Sequence, residues 1–176
     1  MTAQLHKKMV VNRKYAMLHN AELIVYDFDG VMTDNKVILR EDGTESVVVN
    51  RSDGLAVSII KVSGISQLIL TTEKNKVVDK RAKKLGIPLI QGVSDKKRAL
   101  LDYCVKNNVL LSRVVYVGND INDLDAMLSV GYPVCPMDAA AEIKKISVII
   151  ISATGGNGVV RELLRYIDAA STRSRK

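Results

Sequence analysis

From residue 21 onward the chain alternates short apolar runs with amphipathic stretches. The apolar runs at 23–26, 67–70, 88–90, 114–117, 133–135 and 148–151 predict strands that are buried on both faces. The stretches at 54–62, 76–84, 96–107, 122–130, 139–145 and 159–167 carry helical periodicity. Strands alternating with helices imply an α/β fold: a Rossmann-like, mainly parallel sheet with helices on both faces and ligands outside the carboxyl ends of the strands. One segment departs from this rhythm. Residues 36–39 and 45–49 are β-rich and are joined by Arg40-Glu41-Asp42-Gly43-Thr44, which predicts a β-hairpin inserted between the first strand and the first helix. No other insertion is large enough to form a separate cap domain.

At 176 residues, 47% hydrophobic and 26% charged, the chain fits one globular domain, expected at 21–168 between a basic extension at 1–20 and a basic tail at 169–176. No apolar run reaches the length of a membrane span, and the basic first residues lack the apolar core of a signal peptide, so the expected location is cytoplasmic. The net charge of +7 raises the question of nucleic acid. However, Lys7, Lys8, Arg13, Lys14, Arg173, Arg175 and Lys176 account for all of it, and an aromatic content of 4% offers few stacking platforms. The expected partners therefore include neither nucleic acid nor membrane. Cys104 and Cys135 form no disulfide framework or clustered metal motif and are expected in or near the core.

The candidate chemistry falls after the predicted strands. Asp27-Phe28-Asp29-Gly30-Val31-Met32-Thr33-Asp34 follows the first, and the period of two in a strand sends Asp27 and Asp29 out on the same side. Two carboxylates this close favour a bound hard cation, and oxygen ligands suit Mg²⁺ better than Zn²⁺. Such a pair serves as nucleophile and acid/base for phosphoryl transfer, or equally as an acidic turn that caps a helix. Thr71-Thr72-Glu73 ends the second strand, where a hydroxyl can meet a phosphate oxygen or cap the next helix. Lys96, after Gln91-Gly92-Val93-Ser94-Asp95, can aim an ammonium at a phosphoryl group, with Asp95 as a helix N-terminal residue. Gly118-Asn119-Asp120-Ile121-Asn122-Asp123 follows the fourth strand with the oxygen donors of a Mg²⁺ loop.

These four pieces, in this order over residues 22 to 167, resemble the haloacid dehalogenase superfamily. The Asp at 29, where transport ATPases of that superfamily carry Thr, points to its phosphatases. Asn50-Arg51-Ser52-Asp53-Gly54, Gln91-Gly92 with Asp95-Lys96, and Gly155-Gly156-Asn157-Gly158-Val159-Val160-Arg161-Glu162 are similar to a small capless branch. That branch includes 3-deoxy-octulosonate 8-phosphate phosphatases, nonulosonate 9-phosphate phosphatases and the phosphatase-like domain of acylneuraminate cytidylyltransferases.

The resemblance implies a Mg²⁺-dependent phosphoric monoester hydrolase acting through an aspartyl-phosphate on Asp27. Asp29 would shuttle protons, and Thr71 and Lys96 would neutralise the transferring oxygens. It implies metal ligands among Asp27, Asp29, Asn119, Asp120 and Asp123, and substrate contacts from Asn50, Arg51, Asp53, Gly54, Thr72, Glu73 and Lys84. It also implies that the hairpin helps build a homotetramer in which a neighbour covers the site, and that the glycine-rich segment before the last helix reaches a substrate site. Two departures shape the expectation. Asn119 stands where the superfamily usually has Asp, which lowers the charge on the metal. Glu73 stands where octulosonate phosphatases have Arg, which moves the preference from the eight-carbon to the nine-carbon, sialic-type sugar acid. The rival reading is a weakly active or inactive oligomerisation or regulatory module associated with an acylneuraminate cytidylyltransferase.

Overall fold

The computed structural model describes Leu18 and residues 20–171, with side chains through Ile167. Six parallel strands form one sheet in the order β5-β4-β1-β6-β7-β8: β1 (Leu23–Tyr26), β4 (Ser66–Leu70), β5 (Leu89–Ile90), β6 (Val114–Val117), β7 (Tyr132–Cys135) and β8 (Ile149–Ile150). β2 (Ile38–Leu39) and β3 (Glu45–Ser46) pair antiparallel as the expected hairpin, with a shorter ladder than the sequence predicts. The chain starts in the middle of the sheet at β1, builds outward through β4 and β5, then crosses back to β6. The strand order therefore reverses beside β1, which puts a ligand crevice at the carboxyl end of β1 and β6.

The central strands are apolar at every position because both of their faces are covered. On one face Ile24, Tyr26, Ile69, Val115 and Val117 pack against α1 (Arg51–Val62), α2 (Lys76–Leu85) and α6 (Val159–Ser171) through Val57, Ile60, Ala82 and Leu163. On the other, Leu23, Val25, Leu68 and Tyr116 pack against α3 (Lys96–Lys106), α4 (Leu124–Leu128) and α5 (Ala141–Ile146) through Leu100, Cys104, Met127 and Ile143. Each large aliphatic side chain taken out of water here contributes roughly 1.5–3 kcal/mol. Cys104 and Cys135 are both buried and unpaired with each other, as expected.

Helix starts follow side-chain caps. Asn50 accepts from the Ser52 amide at 2.9 Å, Asn75 from Val77 at 3.0 Å and Asp95 from Arg98 at 2.9 Å. The Asn50 cap begins α1 at Arg51, three residues before the predicted start. The last helix runs to Ser171, past the expected domain boundary. At the other end, Leu18 lies inside the expected extension yet is buried in the core. The remaining residues of the basic termini fall outside the described ones. Among the described residues no helix is long and apolar enough to cross a membrane.

The glycine-rich segment packs against the turn that follows β1. A Cβ on Gly155 would sit 2.4 Å from the Gly30 carbonyl oxygen, and one on Gly156, whose φ is +70°, 2.6 Å from the Asp34 amide nitrogen. The branch resemblance implied that this segment reaches a substrate site; within this chain it abuts the backbone of residues 30–34. Gly155→Ala should cost about 1–3 kcal/mol by overpacking, seen as a lower urea midpoint with an unchanged m-value.

Candidate active site

β1, β4 and β6 end side by side, and their register brings Asp27, Thr71 and Asn119 to one edge. The Asp27 amide donates to the Val117 carbonyl at 2.9 Å, which continues the β1–β6 ladder into the site. Gly30 adopts φ +80°, and a Cβ there would lie 2.0 Å from Asn119 Nδ2, so only glycine lets the two loops meet. A cavity of about 400 Å³ opens here, lined by Asp27, Asp29, Asn35, Thr71, Asn119 and Asp120 among others.

A buried ion triad fixes the centre. Lys96 Nζ lies 2.9 Å from Asp27 Oδ1 and 2.7 Å from Asp123 Oδ1, and all three side chains are at most 5% exposed. Asp123 is fully engaged. Its Oδ1 also accepts from the Tyr116 hydroxyl at 2.9 Å, and its Oδ2 accepts from the amides of Asn119 at 2.9 Å and Asp120 at 3.4 Å. Asp123, expected among the metal ligands, has its oxygens taken up within the chain, where it anchors the lysine and shapes the Asn119 loop. That role and the Tyr116 hydroxyl escaped the sequence reading, because the partners lie on separate elements.

Burial pushes the Asp27 carboxyl up to about 7, with the Asp123 charge adding to the effect and Lys96 opposing it. Asp29 is half-buried, and its carboxyl is also raised, first by burial; Glu73 and Glu45 push the same way and a hydrogen bond from Thr33 opposes. A carboxyl held above its usual range is suited to carry a proton to a leaving group.

The oxygen donors fit a hard cation. Asn119 Oδ1 is buried without a hydrogen-bond partner, at the same cavity as the Asp27 carboxylate. Asp27 and Asp123 also leave the triad one negative charge in excess when both are ionised. An all-oxygen set of this kind suits Mg²⁺. Asp120 lines the cavity too, but its Oδ1 caps the short helical turn at Ile121–Asp123 by accepting from the Ile121 amide at 2.7 Å.

The expected substrate contacts divide. Thr72 lines the cavity, and Glu73 stands next to it, with Oε1 accepting from the Lys74 and Asn75 amides at 2.6 and 2.7 Å. Asn50 caps α1, and Arg51 is exposed on its first turn. Asp53 is turned inward: at 1% exposure it accepts from the Arg161 amide at 2.9 Å and ties α1 to α6. Gly54 packs against α2, where a Cβ would meet Leu85 at 3.5 Å. Lys84 lies in the last turn of α2, at the far end of that helix from the cavity. Within one chain, then, Asp53, Gly54 and Lys84 do not line the site. A second cavity of about 380 Å³, at the opposite edge of the sheet between Lys61, Gly86 and Tyr103, is lined by a single amine and no carboxylate.

Comparison with known proteins identifies the family. The family model of the haloacid dehalogenase-like hydrolases matches residues 67–163. The 3-deoxy-D-manno-octulosonate 8-phosphate phosphatase KdsC of Escherichia coli K12 is 34% identical over 149 residues, which cover 84% of this chain and 79% of that protein. The chain belongs to the haloacid dehalogenase-like hydrolase family. Among solved structures of the family, a putative hydrolase from Streptomyces avermitilis superposes with a TM-score of 0.84 at 39% identity, covering 88% of this chain and 89% of that one. The 3-deoxy-D-manno-octulosonate 8-phosphate phosphatase of Moraxella catarrhalis, solved with magnesium, phosphate and KDO, gives 0.86 at 33% identity over 94% of this chain and 99% of that one.

Proposed function

We propose that this hydrolase removes the terminal phosphate of a phosphorylated 3-deoxy-2-keto sugar acid. It is a phosphoric monoester hydrolase that uses Mg²⁺. The observation that carries the chemistry is the Asp27–Lys96–Asp123 triad at the sheet edge with Asp29 beside it. Asp27 attacks phosphorus in line while Asp29 protonates the departing ester oxygen, which leaves as the alcohol. Water then attacks the aspartyl-phosphate and gives its proton to Asp29. Thr71 and Lys96 neutralise the transferring oxygens. The Asp27 carboxylate, the Asp29 backbone carbonyl and Asn119 Oδ1 would hold the Mg²⁺, with Asp120 in reserve; bound there, the cation supplies charge neutralisation between nucleophile and phosphoryl group.

Because Asn119 brings no charge, Asn119→Asp is expected to lower the Mg²⁺ concentration for half-maximal activity by about tenfold. A magnesium titration of initial rates reads this directly.

The finer substrate proposal is a sialic-type nonulosonate 9-phosphate. Its support is the acidic rim of Glu73 and the hairpin residue Glu45, which Asn75 links, its main-chain amide donating to Glu73 Oε1 at 2.7 Å and its side chain to Glu45 Oε2 at 3.0 Å. Carboxylates there accept from sugar hydroxyls. Octulosonate 8-phosphate is the second reading, favoured by the activity named for the similar phosphatases. The test is Mg²⁺-dependent phosphate release from eight- and nine-carbon keto acid phosphates and unrelated phosphomonoesters. A kcat/KM at least about tenfold higher for the nine-carbon acid supports the finer reading. Preference for the eight-carbon acid supports the second. Flat activity overturns both, and no release on any substrate favours the oligomerisation or regulatory module.

The proposal includes a homotetramer acting in the cytoplasm. Val37, Ile38, Leu39 and Val48 of the hairpin region are 53–68% exposed, an apolar surface suited to a second copy of the chain. Light scattering should return four times the 19.3 kDa chain mass, and Ile38→Asp with Leu39→Asp should lower it.

A further inference from the structure

Thr33 is completely buried and sits between the turn after β1 and the Asp29 carboxylate. Its Oγ1 is 3.1 Å from Asp29 Oδ1, and it accepts from the amides of Gly30 at 3.4 Å and Asn35 at 3.2 Å. A threonine hydroxyl has one proton and two lone pairs. Both amides can only donate, so they occupy the lone pairs, and the single proton must point at the carboxylate. Asp29 Oδ1 is therefore committed as an acceptor.

We infer that Thr33 is a positioning residue that fixes the Asp29 carboxyl in one orientation, with Oδ2 as the oxygen that carries and delivers the catalytic proton. A proton on Oδ1 would face a hydroxyl with no lone pair left to receive it. The proton resides on Oδ2, and the leaving oxygen meets that atom.

The turn that carries Thr33 is braced from outside the site. The amides of Met32 and Thr33 donate to the Phe28 carbonyl at 2.9 and 3.1 Å, and the Gly156 amide donates to the Val31 carbonyl at 3.1 Å. The Gly155 amide donates to Asp138 Oδ1 at 3.0 Å, which holds the glycine-rich segment against the turn. The segment thus acts on the chemistry through Thr33.

The inference rests on the proposed role of Asp29. As the bond from phosphorus to the ester oxygen breaks and the bond from Asp27 forms, the departing alkoxide takes the proton from Oδ2 and leaves as alcohol. In the second half, attacking water returns a proton to Oδ2 as the bond from Asp27 to phosphorus breaks and inorganic phosphate leaves.

The experiment compares kcat/KM for an alkyl phosphomonoester, glycerol phosphate or a sugar acid phosphate, with that for p-nitrophenyl phosphate, whose leaving group needs little protonation. Thr33→Val should lose about 10–100-fold on the alkyl ester but under about threefold on the aryl ester, while Thr33→Ser stays within about threefold on both. Should Thr33→Val fail to fold by circular dichroism, Thr33→Cys, whose thiol is only a weak donor and acceptor, takes its place with the same expected split between the two esters. Equal losses on both esters, or failure of Thr33→Ser to retain activity, would overturn the positioning role. Asp29→Asn separates the two levels: if its loss is the same for both esters, the proton-donor role itself fails, whatever Thr33 does.

Discussion

Replacing Asp27 by Asn abolishes turnover, with kcat/KM down by at least about a thousandfold, and leaves the fold intact. The amide keeps the shape of the carboxylate but cannot form the acyl-phosphate. The Phe28 amide that donates to Asp27 Oδ1 at 2.8 Å can still find an oxygen there. The same variant has a signature in stability. Without divalent cation the folded Asp27 carboxyl holds its proton up to about pH 7, whereas its ordinary value is 3.8. Between those pH values the folded state binds more protons than the unfolded state, so wild-type stability falls as pH rises through that window. Asp29 and Asp53, both raised first by burial, add slopes of the same sign. D27N removes the largest of these slopes. Its thermal midpoint should therefore be less pH-dependent than the wild-type value and higher at pH 8 in the presence of a chelator. Wild-type-like hydrolysis by D27N would sink the mechanism, and an unchanged pH slope would mean that Asp27 ionises freely in the folded state.

The parallel sheet was legible in the sequence because its strands are buried on both faces and so read as unbroken apolar runs. α1 starts ahead of its apolar periodicity, which begins only at Gly54, because Asn50 with Asp53 three positions on is itself a helix-start pattern. The site was legible as far as it is local. Asp27, Asp29, Thr71, Lys96 and Asn119 each follow a strand, and parallel register brings strand ends together. What lay beyond reach was pairing across elements. Asp123 looks like a metal ligand in its loop because nothing local shows that Lys96 and Tyr116 already occupy one of its oxygens. Lys84 lies away from the cavity of its own chain for a geometric reason: eight residues of helix carry it roughly 12 Å along the axis from Lys76, away from the carboxyl edge. Thr33 stood in the motif from the start, but only its burial and its three partners reveal what it holds.

Lys96→Met should be the most costly substitution for the protein as a whole, in stability as well as in rate. The methionine fills most of the buried space but leaves Asp27 and Asp123 without the ammonium that lies 2.9 and 2.7 Å from them. Breaking a buried pair in this way costs about 3–5 kcal/mol, because the uncompensated charge remains in the interior. The two carboxylates do not suffer equally. Asp123 keeps the Tyr116 hydroxyl and the Asn119 and Asp120 amides, whereas Asp27 keeps the Phe28 amide. Asp27 therefore takes up a proton, and its carboxyl rises beyond the value it has beside Lys96, so the nucleophile is neutral at pH 7. Loss of rate by about 10²–10³-fold follows from the missing phosphoryl contact alone, and protonation of Asp27 adds to it. Mg²⁺ should restore part of the lost stability, since a cation at Asp27 offsets the missing charge, but little of the rate. Adding Asp123→Asn to Lys96→Met removes the other stranded charge and should recover stability without recovering turnover; urea midpoints and kcat/KM measured on the full double-mutant cycle separate the two effects. If Lys96→Met melts with the wild type, the triad carries no buried charge imbalance and Lys96 acts on the substrate alone.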